Sequence, residues 1–127
     1  MLHVVESKKS LSRVTADLEQ AVSRHKFGIL GVHDLKAKMT EKGVDFAREC
    51  RIYEVCNPLQ AKKVLERNME VSTALPCRIS VYEETGGTRL ATIKPTTLIA
   101  LYGTPELQDV AEEVEATLTT IMSEAAR

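Results

Sequence analysis

Aromatic side chains are nearly missing from this chain. Among 127 residues there is no tryptophan, with two phenylalanines and three tyrosines. A platform that stacks the bases of single-stranded nucleic acid needs more of them. A surplus of one charge is missing too: 17 Lys and Arg stand against 18 Asp and Glu, for a net charge of -1. Proteins that grip phosphate backbones carry a basic excess, so nucleic acid is not an expected partner. No window approaches the roughly 18 apolar residues of a membrane-spanning helix. The opening MLHVVESKKS has neither the basic flank nor the apolar run of a signal peptide. A soluble, cytoplasmic protein without membrane contact is expected. Cysteine is present three times, an odd number, and no pair has CxxC spacing. That argues against a disulfide framework, a zinc knuckle and a thioredoxin-type centre, and in favour of free thiols in a reducing compartment. Neither GxGxxG nor GxxxxGK[ST] occurs, which removes the phosphate loop and the dinucleotide fingerprint.

What is there is ordinary globular material, 43% hydrophobic and 28% charged, enough for a single domain over residues 1–127 with one real core. Leu2 to Glu6 favour a strand. Ser7 or Ser10 can cap the helix in which Leu11, Val14, Leu18, Ala21 or Val22 and His25 recur at helical spacing. Phe27 to Val32 reads as a strand, with Gly28 or Gly31 at a close approach. Lys36 to Lys42 reads as a short helix ended by Gly43. Cys50 to Val55 reads as a strand, Asn57 to Asn68 as a helix with Leu59, Val64 and Leu65 on its inner face, and Met69 to Ala74 as a linker. Cys77 to Glu83 and Thr88 to Lys94 read as a hairpin around Glu84-Thr85-Gly86-Gly87. A last helix is expected from Thr104 as cap and Pro105 as first residue, with Leu107, Val110, Val114, Leu118, Ile121 and Ala125 as its apolar stripe. This order predicts an α+β fold: an antiparallel-rich sheet with two long helices packed on one face.

The densest local signal runs from Ile52 to Tyr82, where two cysteines each stand at a junction of strand and loop. Cys56 precedes Asn57-Pro58, a good N-cap followed by a residue suited to the first helical position, and Gln60 is placed to close a capping box. A helix N-terminus beside a thiol lowers its pKa and makes it more reactive. If Cys77 shares the same pocket rim, the pair can hold a soft metal, an oxidant or a small molecule; otherwise both are small buried apolar residues. His33 can add an imidazole to that pocket, or be a strand-end residue bonded to backbone. Asn57 and Pro58 can seat an anion with Arg78 or Lys62, or serve as a cap alone. The expected ligand-binding set is Cys56, Asn57, Pro58, Cys77, Arg78 and His33. Alternation along the strands puts Tyr53 and Tyr82 on polar-facing registers, suited to a dimer seam. The Glu112-Glu113-Glu115 cluster reads as a solvated helix face.

Glu54-Val55-Cys56-Asn57-Pro58, followed by Leu75-Pro76-Cys77-Arg78-Ile79-Ser80-Val81-Tyr82-Glu83, resembles the family catalogued as domain of unknown function 302. Phe27-Gly28-Ile29-Leu30 and Asp34-Leu35-Lys36-Ala37 are similar to its second strand and the segment after it. The resemblance implies a β-α-β(4)-α order related to the TATA-binding-protein-like class, and pairing as homodimers. It implies no settled activity, and shared architecture does not carry function. Three functions remain in view: a homodimeric domain that binds or senses a small molecule, metal or oxidant at Cys56 and Cys77; a protein-protein interaction module; and a thiol-dependent enzyme with Cys56 as nucleophile and His33 as base.

Overall fold

The first helix begins where the sequence offers a cap. Ser10 adopts extended backbone and its side chain accepts from the Arg13 N–H, opening α1 (Leu11–Arg24) directly after β1 (Leu2–Ser7). The helix ends in a Schellman motif, with Phe27 N–H donating to the Val22 carbonyl and Lys26 N–H to Ser23. Lys26 stands in the left-handed conformation that glycine commonly takes there, at φ 63°. This closure delivers Phe27 to the core ahead of β2 (Gly28–Asp34). The computed structural model describes residues 1–127 throughout. Asp34 caps the short α2 (Leu35–Glu41), its carboxylate accepting from Ala37 N–H at 3.0 Å. Then come β3 (Cys50–Cys56), α3 (Pro58–Arg67), β4 (Cys77–Glu84), β5 (Gly87–Ile93), the short α4 (Pro95–Ile99) and the long α5 (Gln108–Ala126).

The strands form one sheet in the order β1-β5-β4-β3-β2, every neighbouring pair antiparallel. Helices α1 and α5 pack on each other and on one face of that sheet. The fold is therefore the α+β arrangement that the helical and alternating periodicities predict. Leu18 and Val14 of α1, Leu118 and Ile121 of α5, and Val81 and Leu90 of the sheet are fully buried together. Each such side chain contributes about 1.5–3 kcal/mol by leaving water. A second, smaller cluster of Val64, Val71, Ile99, Leu107 and Ala111 joins α3, α4 and the start of α5. The opposite face of the sheet has no helix packed in the core against it. It carries Leu2, Val4 and Ile93, each about half exposed, beside Glu6, Arg89, Glu54 and Arg78.

Four expectations need correction. Tyr53 is not on a polar face: it is 3% exposed and packs in the main core, because β3 turns Tyr53 and Val55 inward and leaves Ile52 and Glu54 outward. Leu59 does not help line the inner face of α3; it is 73% exposed, while Val64 alone is buried. Met69–Ala74 is a 3-10 helix, capped by the Asn68 side chain on Glu70 N–H, where a linker was expected. Pro105 opens only a 3-10 turn (Pro105–Leu107) and Thr104 makes no side-chain cap, so α5 starts at Gln108.

Glu115 is likewise not a solvated side chain. Its Oε1 accepts from both the backbone N–H and the hydroxyl of Thr96, at 3.2 and 2.6 Å, tying α4 to α5. Those hydrogen bonds hold its carboxyl below the ordinary range, against the opposing effect of burial.

Candidate functional site

Asn57 satisfies the start of α3 by itself. Its Oδ1 accepts from Leu59 N–H at 3.0 Å and Gln60 N–H at 3.2 Å, and its carbonyl accepts from Ala61 N–H. Pro58 has no N–H to offer. The donors of the first turn are therefore all engaged, which leaves none for an anion and corrects the anion-seat reading of Asn57 and Pro58. Arg78 does not come to this helix end either. It stands opposite Glu54 in the β3–β4 register and its Nη2 lies 3.5 Å from Glu54 Oε2, on the open face of the sheet. Lys62 pairs along its own helix with Glu66.

The two cysteines stand at neighbouring strand ends. Register pairs Cys77 with Val55, the residue just before Cys56. Both cysteines line one recess of about 40 Å³, together with Phe27, Val64, Leu75 and Val114. Eight of its ten lining residues are hydrophobic, so the recess is an apolar slot and not a charged one. It lies on the seam of the two hydrophobic clusters: Phe27 and Val55 belong to the main core, Val64 to the smaller cluster, and Cys77 and Val114 pack against the main core. A second apolar cavity of about 60 Å³ adjoins it and shares the walls made by Val64, Leu75, Cys77 and Val114.

Burial decides the chemistry of the thiols. It pushes Cys56 up from its ordinary pKa, and pushes Cys77 up to about 11, with the neighbouring Cys56 adding to the rise. This overturns the expectation of an activated Cys56. The helix N-terminus would favour the thiolate, but its first N–H groups already point at Asn57, and loss of solvent outweighs what is left. All three cysteines are free thiols. Cys50 lies away from the recess, with its sulfur 3.8 Å from the Ser80 hydroxyl.

His33 does not join the cysteines. Antiparallel pairing puts it opposite Ile52, while Gly28 is opposite Cys56. Four residues of strand, about 13 Å at 3.3 Å per residue, separate the two positions. A bulge at Leu30 also shifts the register between Ile29 and Gly31, which turns His33 to the open face. There Lys38 Nζ lies 3.3 Å from its Nδ1, and Nε2–H donates to Glu54 Oε1 at 3.0 Å. Gly31 makes the room: a Cβ at that position would lie 3.0 Å from the same Glu54 oxygen. No group of three His, Cys, Asp or Glu side chains is disposed to hold a metal ion. The thiols without His33 form an incomplete ligand set for zinc or copper(I).

One residue that the helix signals misassign belongs to this recess. Gln60 lines it, and its Oε1 is out of solvent and accepts no hydrogen bond. A capping box would have spent that side chain on the Asn57 N–H; the structure does not make that bond. An acceptor so placed costs about 1–3 kcal/mol while it lacks a partner.

A five-stranded antiparallel sheet backed by two long helices on one face, with shorter helices between its strands, sets the class of protein. The chain belongs to the family described as domain of unknown function DUF302, whose model matches residues 3–125. A solved structure from Bacillus stearothermophilus, described as an uncharacterized conserved protein DUF302, is 32% identical to it. That likeness covers 99% of this chain and 98% of the other, with a TM-score of 0.93. No protein of curated function matches the sequence. No helix is long and apolar enough to cross a membrane.

Proposed function

We propose that this chain binds or senses a small molecule in the Cys56–Cys77 recess, and that it works as a homodimer. One observation carries the first part: two sulfurs from separate elements line one apolar slot at the seam of two hydrophobic clusters. Binding sites of this kind combine apolar walls with few polar groups. The raised pKa values support a binding recess over a nucleophile, since the thiolate is the reactive form. The separation of His33 from the recess weighs in the same direction against a thiol-dependent enzyme, and the two-thiol donor set favours a small molecule over a soft metal. Three unpaired thiols support a cytoplasmic setting.

Toluene tests this reading. Titrated into the ¹⁵N-labelled protein, it is expected to move the amide signals of Cys56, Gln60, Ala61, Val64, Cys77 and Val114 saturably and to leave the hairpin tip at Thr85 unmoved. Shifts that are absent, or spread evenly over the chain, would remove the recess as a ligand site.

The open sheet face supports the second part. Leu2, Val4 and Ile93 form an apolar patch at paired positions of β1 and β5, and opposite charges flank it in Glu6–Arg89 and Glu54–Arg78. A two-fold contact uses the same patch twice, so apolar residues with both charge signs nearby are self-complementary. Val4→Arg is expected to turn a dimer into a monomer in light scattering, without loss of helical signal. A wild-type chain that is monomeric at tens of micromolar would refute it.

A further inference from the structure

The two edges of the sheet are built differently. At one edge β2 is interrupted by the bulge at Leu30 and carries Gly28 and Gly31. A bulge of this kind blunts an edge against pairing with a further strand. At the other edge β1 runs in unbroken register with β5 from Leu2 to Ser7, and β5 is its only strand neighbour. Its sequence, LHVVES, has no proline and no lysine, the residues that commonly guard an edge.

The phase of the pairing shows which backbone groups are left over. Lys94 N–H donates to the Met1 carbonyl at 2.8 Å, so these two residues form a hydrogen-bonded pair. Such pairs recur at every second residue of an antiparallel ladder. His3, Val5 and Ser7 therefore turn their N–H and C=O groups toward β5, and Leu2, Val4 and Glu6 turn theirs outward. No loop or cap bonds to the outward set. The same residues hold their side chains on the open sheet face, with Leu2 and Val4 about half exposed.

We infer that a second copy of the chain adds to this edge, β1 antiparallel to β1 about a two-fold axis at Val4, so that the two sheets join into one. The inference rests on the homodimer reading and states where the copies meet. Leu2, Val4 and Glu6 are evenly spaced, so the row maps onto itself when reversed about its centre. Val4 then lies against its own copy and exchanges two N–H···O=C bonds with it, and Leu2 lies against Glu6 on each side. Every outward donor and acceptor of the row gains a partner. Charge permits the match: Glu6 is the only Asp, Glu, Lys or Arg of β1, and it keeps its own Arg89. The two Glu6 side chains stand about 13 Å apart along the seam at 3.3 Å per residue, beyond the screening length at physiological salt. Leu2 and Val4 of both copies form one apolar stripe across the join.

Val4→Pro and Ile93→Arg separate the edge from the face. The proline removes the outward N–H and sets its ring against the opposing carbonyl, yet keeps an apolar side chain and costs no bond to β5. The arginine charges the open face and leaves the edge intact. Sedimentation of the full-length proteins reads the dimer dissociation constant. Val4→Pro is expected to raise it at least about tenfold, from the loss of the two hydrogen bonds at the axis. Ile93→Arg is expected to stay within about threefold of the wild type. A Val4→Pro dimer as tight as the wild type would overturn the inference, as would an Ile93→Arg chain that dissociates as far as Val4→Pro; either leaves a homodimer with a different interface. A wild type that is monomeric at tens of micromolar overturns the homodimer reading and the inference together, and leaves the edge to a strand of another protein. Should Val4→Pro lose its cooperative melt, hydrogen exchange of the wild type decides. The Val4 and Glu6 amides are expected to exchange at least about tenfold more slowly in the dimer than in the diluted monomer, and equal rates would overturn the pairing.

Discussion

Gly87→Ala is expected to destabilise the fold by about 3 kcal/mol or more, the upper range for forcing an atom into packed surroundings, and to lower the melting temperature by about 10 °C. The reason is a contact between backbones. A Cβ on Gly87 would lie 2.1 Å from the Ser7 carbonyl oxygen, 3.2 Å from its carbon and 3.3 Å from Lys8 Cα. None of these belongs to a flexible side chain that can swing aside. The atoms that would have to move sit in a fastening of three elements. Ser7 Oγ donates to the Ala126 carbonyl at 2.6 Å, and Thr88 Oγ1 donates to the Lys9 carbonyl at 2.8 Å. Pushing the Ser7 carbonyl away therefore loosens the β1–β5 pairing, the entry to α1 and the end of α5 at once. Gly28→Ala is the control. Its Cβ would meet nothing closer than the Cys56 carbonyl at 3.9 Å, and its φ is not positive. It is expected to stay within about 0.5 kcal/mol of the wild type or to gain slightly, because alanine narrows the unfolded ensemble. Thermal unfolding of the two variants checks this, and a Gly87→Ala melt within 2 °C of the wild type would refute the contact.

Local signals were readable in the sequence where one short stretch carries the whole cause. Ser10 and Asn57 cap helices because their side chains bond N–H groups two or three residues on, which needs no distant partner. The hairpin is legible for the same reason: Thr85-Gly86 turns the chain with Gly86 at φ 89°. Cys56 and Cys77 each stand at a strand end, and the antiparallel pairing of β3 with β4 sets those two ends side by side.

What the sequence misled on depends on pieces far apart in the chain. Tyr53 shares its alternation with Arg51, so its face looks polar until the main core closes over it. His33 looks available to the cysteines until register places it four residues down the sheet and a single extra residue, Leu30, rotates it to the other face. Neither the register nor the bulge has a local signature, apart from the glycine that follows the bulge. The chemistry of Cys56 was misjudged through a balance of two effects. A helix start near the thiol was visible, but the desolvation that outweighs it comes from Phe27, Val64 and Val114, which arrive from three other elements. Gln60 was hidden by a competing explanation: its place three residues after Asn57 fits a capping box, and only the folded structure leaves its oxygen off the Asn57 N–H and without any partner.

Cys77 is expected to react with iodoacetamide about 100-fold more slowly in the native protein than in the urea-unfolded chain. The thiolate is the reacting species, and the native pKa is about 11 against an ordinary 9.0. That difference of about two pH units means about 100-fold less thiolate at any pH well below both values. Peptide mapping by mass spectrometry after timed quenching at pH 7.5 resolves Cys77 from Cys50 and Cys56. A native rate equal to the unfolded rate, in protein that keeps its cooperative melt, would show that Cys77 is not enclosed and would take the recess with it. The same burial predicts a dependence of stability on pH, and its sign follows from proton counting. Between pH 9 and 11 the native state still holds the Cys77 proton while the unfolded chain has released it. Stability then falls as pH rises through that window, because the native state binds more protons there. Below pH 9 both states are protonated and the contribution is fully present. Lysines and tyrosines titrate in the same range, so the difference between the wild type and Cys77→Ala isolates this group. The variant is expected to be less stable at neutral pH, from the lost packing, and to lose less on going from pH 8.5 to pH 10.5. A parallel fall in the two proteins would mean that the thiol ionises in its folded surroundings as freely as in water, which an apolar seam between two hydrophobic clusters does not permit.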